Sequence, residues 1–185
     1  DGSRDRSAAL LREQWERHPA TTRVVLFNAN YGQHPAIVAG FEHCRGDRVV
    51  TLSADVSVTT HLAGWINRRG VYFPRPKRGF TAEGPQAVQW KESPAGQHIE
   101  LGIAEHNLFL ALGAFGLTAE LSGAALLPIG TLYDPFVTRG LDALYHALYA
   151  GGRFIVVATP SGVSLSPEGG AHQSVITPGI GIALP

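Results

Sequence analysis

Residues 98–117 read HIELGIAEHNLFLALGAFGL and join two kinds of secondary structure. The first residues form a short apolar run that suits a buried strand. Residues 104–117 are apolar on every side, which is typical of a buried helix. Glu105 lies where the two meet, at the predicted start of the helix. A carboxylate among such neighbours is either a charge favoured by the helix dipole or a functional group.

The same alternation of strand and helix continues along the chain. Short apolar, β-branched runs at 47–55, 124–130 and 153–159 predict strands, and residues 134–149 have the apolar spacing of a helix. Strands that alternate with helices predict an α/β fold, a three-layer sandwich in which helices cover both faces of a mainly parallel sheet. Residues 67–97 mix Gly, Pro and charge without a period, which predicts a long loop.

The composition indicates a globular protein that binds neither nucleic acid nor a membrane. Of 185 residues, 15 are basic, 15 are acidic and 44% are hydrophobic. No apolar run approaches the roughly 18 residues that a membrane span needs. Cys44 is the only cysteine, which excludes a disulfide framework and favours the cytoplasm. The sequence contains no methionine, so we expect that it starts inside a longer gene product or has been trimmed.

Polar side chains follow the ends of the predicted strands. Asp55 follows the first strand and Glu105 the second. Tyr133 follows the third, and His172 lies in the loop after the fourth. Because the carboxyl ends of parallel strands meet at the ligand-binding edge of an α/β sheet, we expect these residues to share a cleft. Each also has an ordinary explanation alone, such as a helix cap for Asp55. No metal-binding or phosphate-binding motif is present, and the sequence predicts no metal ligands.

Three motifs, in order along the chain, resemble segments of transketolases. They are LSADVSVTTHLAGW at 52–65, GIAEHN at 102–107 and PEGGAHQS at 167–174. The run at 129–149 is also similar to the single-chain, homodimeric first component of pyruvate dehydrogenase. Over residues 48–178 the chain thus resembles the transketolase-like, pyrimidine-binding domain of thiamine-diphosphate-dependent enzymes, and the resemblance implies their fold.

The resemblance also implies roles for the residues of the predicted cleft. In that family the carboxylate matching Glu105 hydrogen-bonds the aminopyrimidine of the cofactor and promotes proton removal, so Glu105 is implied to be catalytic. The match of His172 faces the substrate and implies a second catalytic residue. By the same resemblance, Asp55, Tyr133 and Phe136 join Glu105 in binding the cofactor.

The implied organisation is an N-terminal helix or linker at residues 1–20, followed by the pyrimidine-binding domain at residues 21–185. The diphosphate-binding domain, which holds Mg²⁺ in that family, is expected to be absent from this chain. The implied reaction decarboxylates a 2-oxoacid of the pyruvate type and transfers the acyl group to lipoyl. Expected partners are a second subunit in a homo-oligomer, or the missing domain, and a lipoyl-bearing acyltransferase component.

Two alternatives stay open from the sequence. The first is a transketolase or split transketolase subunit, which moves a two-carbon ketol unit between sugars. The second is a non-catalytic domain that serves dimerisation or partner binding. Retention of Asp55, Glu105 and His172 together favours an enzyme over the second alternative, because a purely structural domain has no need of them.

Overall fold

The computed structural model describes residues 6–20, 22–29, 39, 48–76, 86–159, 169–174 and 177–184. The chain divides into two compact units, residues 1–45 and 46–185. The first unit contains helix α1 (Ser7–Arg17), which has no buried residue. In the described part of the chain, no helix combines the length and hydrophobicity that crossing a bilayer requires.

The second unit is built on a parallel sheet. The described strands are β1 (Val49–Ser53), β2 (Val71–Tyr72), β3 (Glu92–Ser93), β4 (His98–Glu100), β5 (Leu127–Leu132) and β6 (Ile155–Ala158). They lie in the order β3-β2-β4-β1-β5-β6, and every neighbouring pair is parallel. The predicted α/β class, with a parallel sheet flanked by helices, is confirmed.

Helices follow the strands as the alternation predicts. They are α2 (Ala63–Arg69), α3 (Glu105–Gly116), α4 (Thr118–Ser122), α5 (Leu141–Tyr149) and α6 (Thr177–Ala183). The helix predicted over 134–149 begins as a 3₁₀ turn, Asp134–Gly140, and becomes α-helical only at Leu141. A second 3₁₀ turn spans Gly170–His172.

The prediction that residues 67–97 form a long loop is wrong in part. This segment contains the end of α2 and the strands β2 and β3, while residues 77–85 lie outside the described residues. Val71 pairs with Glu92 on one side and with His98 on the other. A strand of two residues is too short to show an alternating pattern in the sequence. β2 and β3 are strands only because they pair with neighbouring strands of the sheet.

Helix α3 is the centre of the core. Leu108, Phe109 and Leu112 have no solvent exposure and pack in one cluster with Leu52 of β1 and Leu144 of α5. The sheet covers one side of the helix and α5 covers another, whereas Leu110 is 53% exposed, so the burial expected on every side is only partly correct. Its N-terminus is thereby held at the carboxyl edge of the sheet.

Gly116, at the end of α3, packs directly against the backbone of Arg153. A Cβ atom at this position would lie 2.6 Å from the amide nitrogen and 3.0 Å from the carbonyl oxygen of Arg153. We therefore expect Gly116→Ala to lower the free energy of unfolding by about 1–3 kcal/mol, because backbone yields less readily than a side chain. Urea unfolding followed by circular dichroism measures this.

The matched control is Gly179→Ala in α6, where no heavy atom lies within 4 Å of an added Cβ. This variant should be as stable as the natural sequence or slightly more so, because alanine favours helix. Equal stabilities for Gly116→Ala and the natural chain would show that α3 does not approach Arg153 this closely.

Candidate functional site

A cavity of about 160 Å³ lies at the carboxyl edge of the sheet. Its lining comes from the segments that follow β1, β4 and β5, which are neighbours in the sheet, and from the second 3₁₀ turn. Five lining residues are those singled out in the sequence: Asp55, Glu105, Tyr133, Phe136 and His172. The structure therefore brings all five together, and their individual roles stay predictions.

Glu105 is a buried carboxylate with a counter-charge. Its side chain is only 6% exposed, at the first residue of α3. Its Oε1 atom accepts a hydrogen bond from Nη1 of Arg139 at 3.2 Å. The helix dipole and the guanidinium both favour a negative charge here, so the charge is stabilised in spite of its burial.

Arg139 is a residue of this site that the sequence did not reveal. Its guanidinium carbon lies 3.8 Å from the centroid of the Phe136 ring, which is close enough for a cation–π contact. The side chain is 51% exposed, so only part of it is sheltered from water. Because Arg139 lies 34 positions after Glu105, no local spacing pointed to the pair.

An aromatic wall, formed by Tyr133, Phe136 and His172, lies on one side of the cavity. The rings of Tyr133 and His172 meet edge to face, with centroids 5.0 Å apart. The rings of Phe136 and His172 are tilted, with centroids 5.6 Å apart. The Tyr133 hydroxyl donates a hydrogen bond to Oγ1 of Thr59 at 2.9 Å, which holds the ring in place. Such a wall presents apolar ring surface to whatever occupies the cavity.

Asp55 enters the cavity from a strained backbone. It is exposed and has a φ of 63°, in the left-handed region that non-glycine residues seldom adopt. Its amide donates a hydrogen bond to Oε1 of Glu100 at 2.8 Å. Strained backbone of this kind is found at functional sites, where the surrounding structure maintains it.

Part of the chain is similar to glycosyltransferases. The profile of Glycosyl transferase family 2 matches residues 1–81, which is less than half of the chain. Over 56 residues the chain is 57% identical to the undecaprenyl-phosphate 4-deoxy-4-formamido-L-arabinose transferase of Pseudomonas fluorescens. Over the same length it is 59% and 57% identical to proteins of that name from Pseudomonas aeruginosa and Edwardsiella ictaluri.

These alignments cover only a small part of this chain and of each relative. Each match includes 30% of this chain and 16% or 17% of the relative. The profile match includes Asp55, whereas the other cavity residues that the sequence predicted lie beyond residue 81. The activity, substrates and partners of the relatives are therefore a basis for proposals about this chain.

The predicted membership of the thiamine-diphosphate enzymes is contradicted by these findings. The predicted 2-oxoacid dehydrogenase component and the transketolase alternative are wrong as well, because the matches point to sugar transfer. The predicted cofactor, thiamine diphosphate with Mg²⁺ held by a missing diphosphate-binding domain, is wrong for the same reason. The resemblance depended on three short motifs, one of which, at 52–65, lies inside the glycosyltransferase match. Motifs that follow parallel strands mark the ligand edge of many unrelated α/β enzymes, so they predict the place of a site better than its chemistry.

Proposed function

We propose that this chain is part of a glycosyltransferase and that its cavity binds the sugar of a nucleotide-activated donor. The observation that carries the proposal is the position of Asp55. This residue lies within the segment that matches Glycosyl transferase family 2 and also lines the cavity at the end of β1. Since the relatives are named for transferring an arabinose derivative to undecaprenyl phosphate, we propose a pentose-type donor and a lipid-linked phosphate acceptor.

The chemistry of the cavity suits a sugar. The carboxylates of Asp55 and Glu105 accept hydrogen bonds from hydroxyl groups, and the aromatic wall offers a surface for the C–H face of a ring. A cavity of about 160 Å³ is smaller than the roughly 300–1,000 Å³ pockets that hold drug-sized ligands. It therefore accommodates one sugar ring, and the nucleotide of the donor extends outside it.

In the proposed reaction, a phosphate oxygen of the acceptor attacks the anomeric carbon of the sugar. The bond from that carbon to the nucleoside diphosphate breaks, and its electron pair leaves with the diphosphate. The attacking oxygen is already anionic, so no general base is needed to remove a proton. The contribution of this chain is to orient the sugar, since positioning of the reacting atoms lowers the barrier.

Family 2 glycosyltransferases typically use a divalent metal, and the described residues do not fit one. Within the ranges that the structure describes, no three His, Cys, Asp or Glu side chains gather as a possible metal site. Among the described lining residues, the carboxylates are Asp55 and Glu105, and Glu105 is already paired with Arg139. No step of the proposed reaction is assigned to a metal.

Two further expectations from the sequence accompany this proposal. The use of a single cysteine supports the cytoplasm as the compartment. Assembly with a second subunit stays a prediction, as does a lipoyl-bearing partner, and the proposed sugar transfer requires neither of them.

Binding of UDP-L-arabinose to the full chain tests the proposal. We expect saturation-transfer NMR to detect contact between the protein and the arabinose protons. The variant Asp55→Asn should bind about tenfold more weakly, because a hydrogen bond to a charged acceptor becomes one to a neutral acceptor.

The control is Asp142→Asn, a change at an exposed position of α5 whose affinity should match that of the natural chain. Two results would refute a sugar site in this cavity. One is an NMR saturation-transfer signal on the uridine protons without one on the arabinose protons, and the other is equal affinity for Asp55→Asn and Asp142→Asn.

A further inference from the structure

The backbone of Asp55 depends on a neighbouring strand for its conformation. A φ of 63° is uncommon for any residue with a Cβ atom, although aspartate adopts it more readily than most, so contacts of the backbone help to decide whether it persists. One such contact is the hydrogen bond of 2.8 Å from the Asp55 amide to Oε1 of Glu100. Glu100 is the last residue of β4, and its register partner on β1 is Ser53. The parallel pairing therefore brings the Glu100 side chain within reach of the turn that follows β1.

Glu100 is itself anchored by a buried histidine. Nε2 of His98 lies 3.4 Å from Oε2 of Glu100, and the His98 side chain has no solvent exposure. Nδ1 of His98 lies 2.9 Å from Oγ1 of Thr51, its register partner on β1. A neutral ring that donates from Nε2 to Glu100 accepts at Nδ1 from the Thr51 hydroxyl, and a protonated ring donates to both, so both nitrogens have partners in either state.

The contacts form one chain of hydrogen bonds from the sheet interior to the cavity. It runs from Thr51 through His98 and Glu100 to the amide of Asp55. Both carboxylate oxygens of Glu100 are used within it, and Glu100 does not line the cavity. A carboxylate that is only 15% exposed and faces inward in this way acts through its neighbour rather than on a ligand.

We propose that Glu100 is a positioning residue of the sugar site, which holds Asp55 in the left-handed conformation and so presents its carboxylate to the sugar. The inference rests on the proposed function for its ligand, while the conformational part concerns Glu100 and Asp55 alone. The bond needs an acceptor at Oε1 and not a negative charge. Replacement by glutamine should therefore preserve the conformation, and replacement by alanine should abolish it.

The first measurement uses no ligand. The intraresidue cross-peak between the amide proton and Hα of Asp55, in isotopically labelled full chain, reports whether φ is positive. We expect a positive φ in the natural chain and in Glu100→Gln, and its loss in Glu100→Ala. Glu100→Met, which keeps the length of the side chain without an acceptor, repeats the alanine test if that variant folds poorly. A positive φ at Asp55 in both the Ala and Met variants would overturn the proposal.

The second measurement is the affinity for UDP-L-arabinose. Glu100→Ala should weaken binding about tenfold and Glu100→Gln less than about threefold. In a chain that already carries Asp55→Ala, which leaves no acceptor at residue 55 for Glu100 to position, Glu100→Ala should cause no further loss. A further tenfold loss in that background would overturn the positioning role. If the natural chain does not bind this nucleotide sugar, the proposed function fails, and the backbone measurement still decides whether Glu100 holds Asp55.

Discussion

Leu112→Ala is expected to lower the free energy of unfolding by about 2–5 kcal/mol. Leu112 has no solvent exposure and lies in α3, above the central part of the sheet. A Cβ atom added at Gly130 of β5 would lie 2.5 Å from its Cδ1 atom, so the leucine fills the space that this glycine leaves. Truncation leaves a cavity that Gly130 has no side chain to fill. We therefore expect a value in the upper half of the range.

Leu110→Ala, on the same helix, is the matched control. Leu110 is 53% exposed, so the same change in chemistry and helix propensity occurs there without a buried cavity. Its effect should stay within about 0.5 kcal/mol, as is usual for surface positions. Urea unfolding followed by circular dichroism compares the two. Similar losses for both variants would mean that α3 does not pack on the sheet as described.

Glu105→Ala is expected to weaken the binding of UDP-L-arabinose by about ten- to a hundredfold. The buried carboxylate lines the cavity, and because Oε1 is hydrogen-bonded to Arg139, Oε2 is the acceptor that we expect to meet the sugar. A hydrogen bond that involves a charged group contributes about 1.5–3 kcal/mol. The change in stability should be smaller. The charge at the start of α3 contributes about 0.3–1 kcal/mol, and Arg139 is exposed enough for water to solvate it once the carboxylate is gone.

The matched control is Glu120→Ala in α4. Glu120 is exposed, and its Oε1 atom lies 3.7 Å from Nη2 of Arg153, which is also exposed, so this change also removes a glutamate near an arginine. Its affinity for the nucleotide sugar should be unchanged. Titration calorimetry and thermal unfolding on the two variants separate the roles of Glu105. A lowered melting temperature with full affinity would mean that Glu105 serves only as a favourable charge at the helix start.

The place of the site was predicted better than its chemistry. Asp55, Glu105 and Tyr133 each follow a strand, and because the strands are parallel all three reach one edge. The chemistry was predicted from short motifs, and the glycosyltransferase matches contradict it. A carboxylate at the start of a buried helix suits proton sharing with a cofactor and hydrogen bonding to a sugar equally well, so residue type and position alone did not distinguish them.

The amino-acid sequence by itself determined the α/β class and the edge at which the polar residues gather. Both follow from local periodicity and from the residues that come directly after each strand. Only the tertiary structure decided which partners those residues have. Arg139 meets Glu105 across 34 positions, and Glu100 meets the amide of Asp55 across 45. Contacts of this kind depend on strand register and on how α3 packs against the 3₁₀ turn Asp134–Gly140, and no periodicity in the chain encodes them.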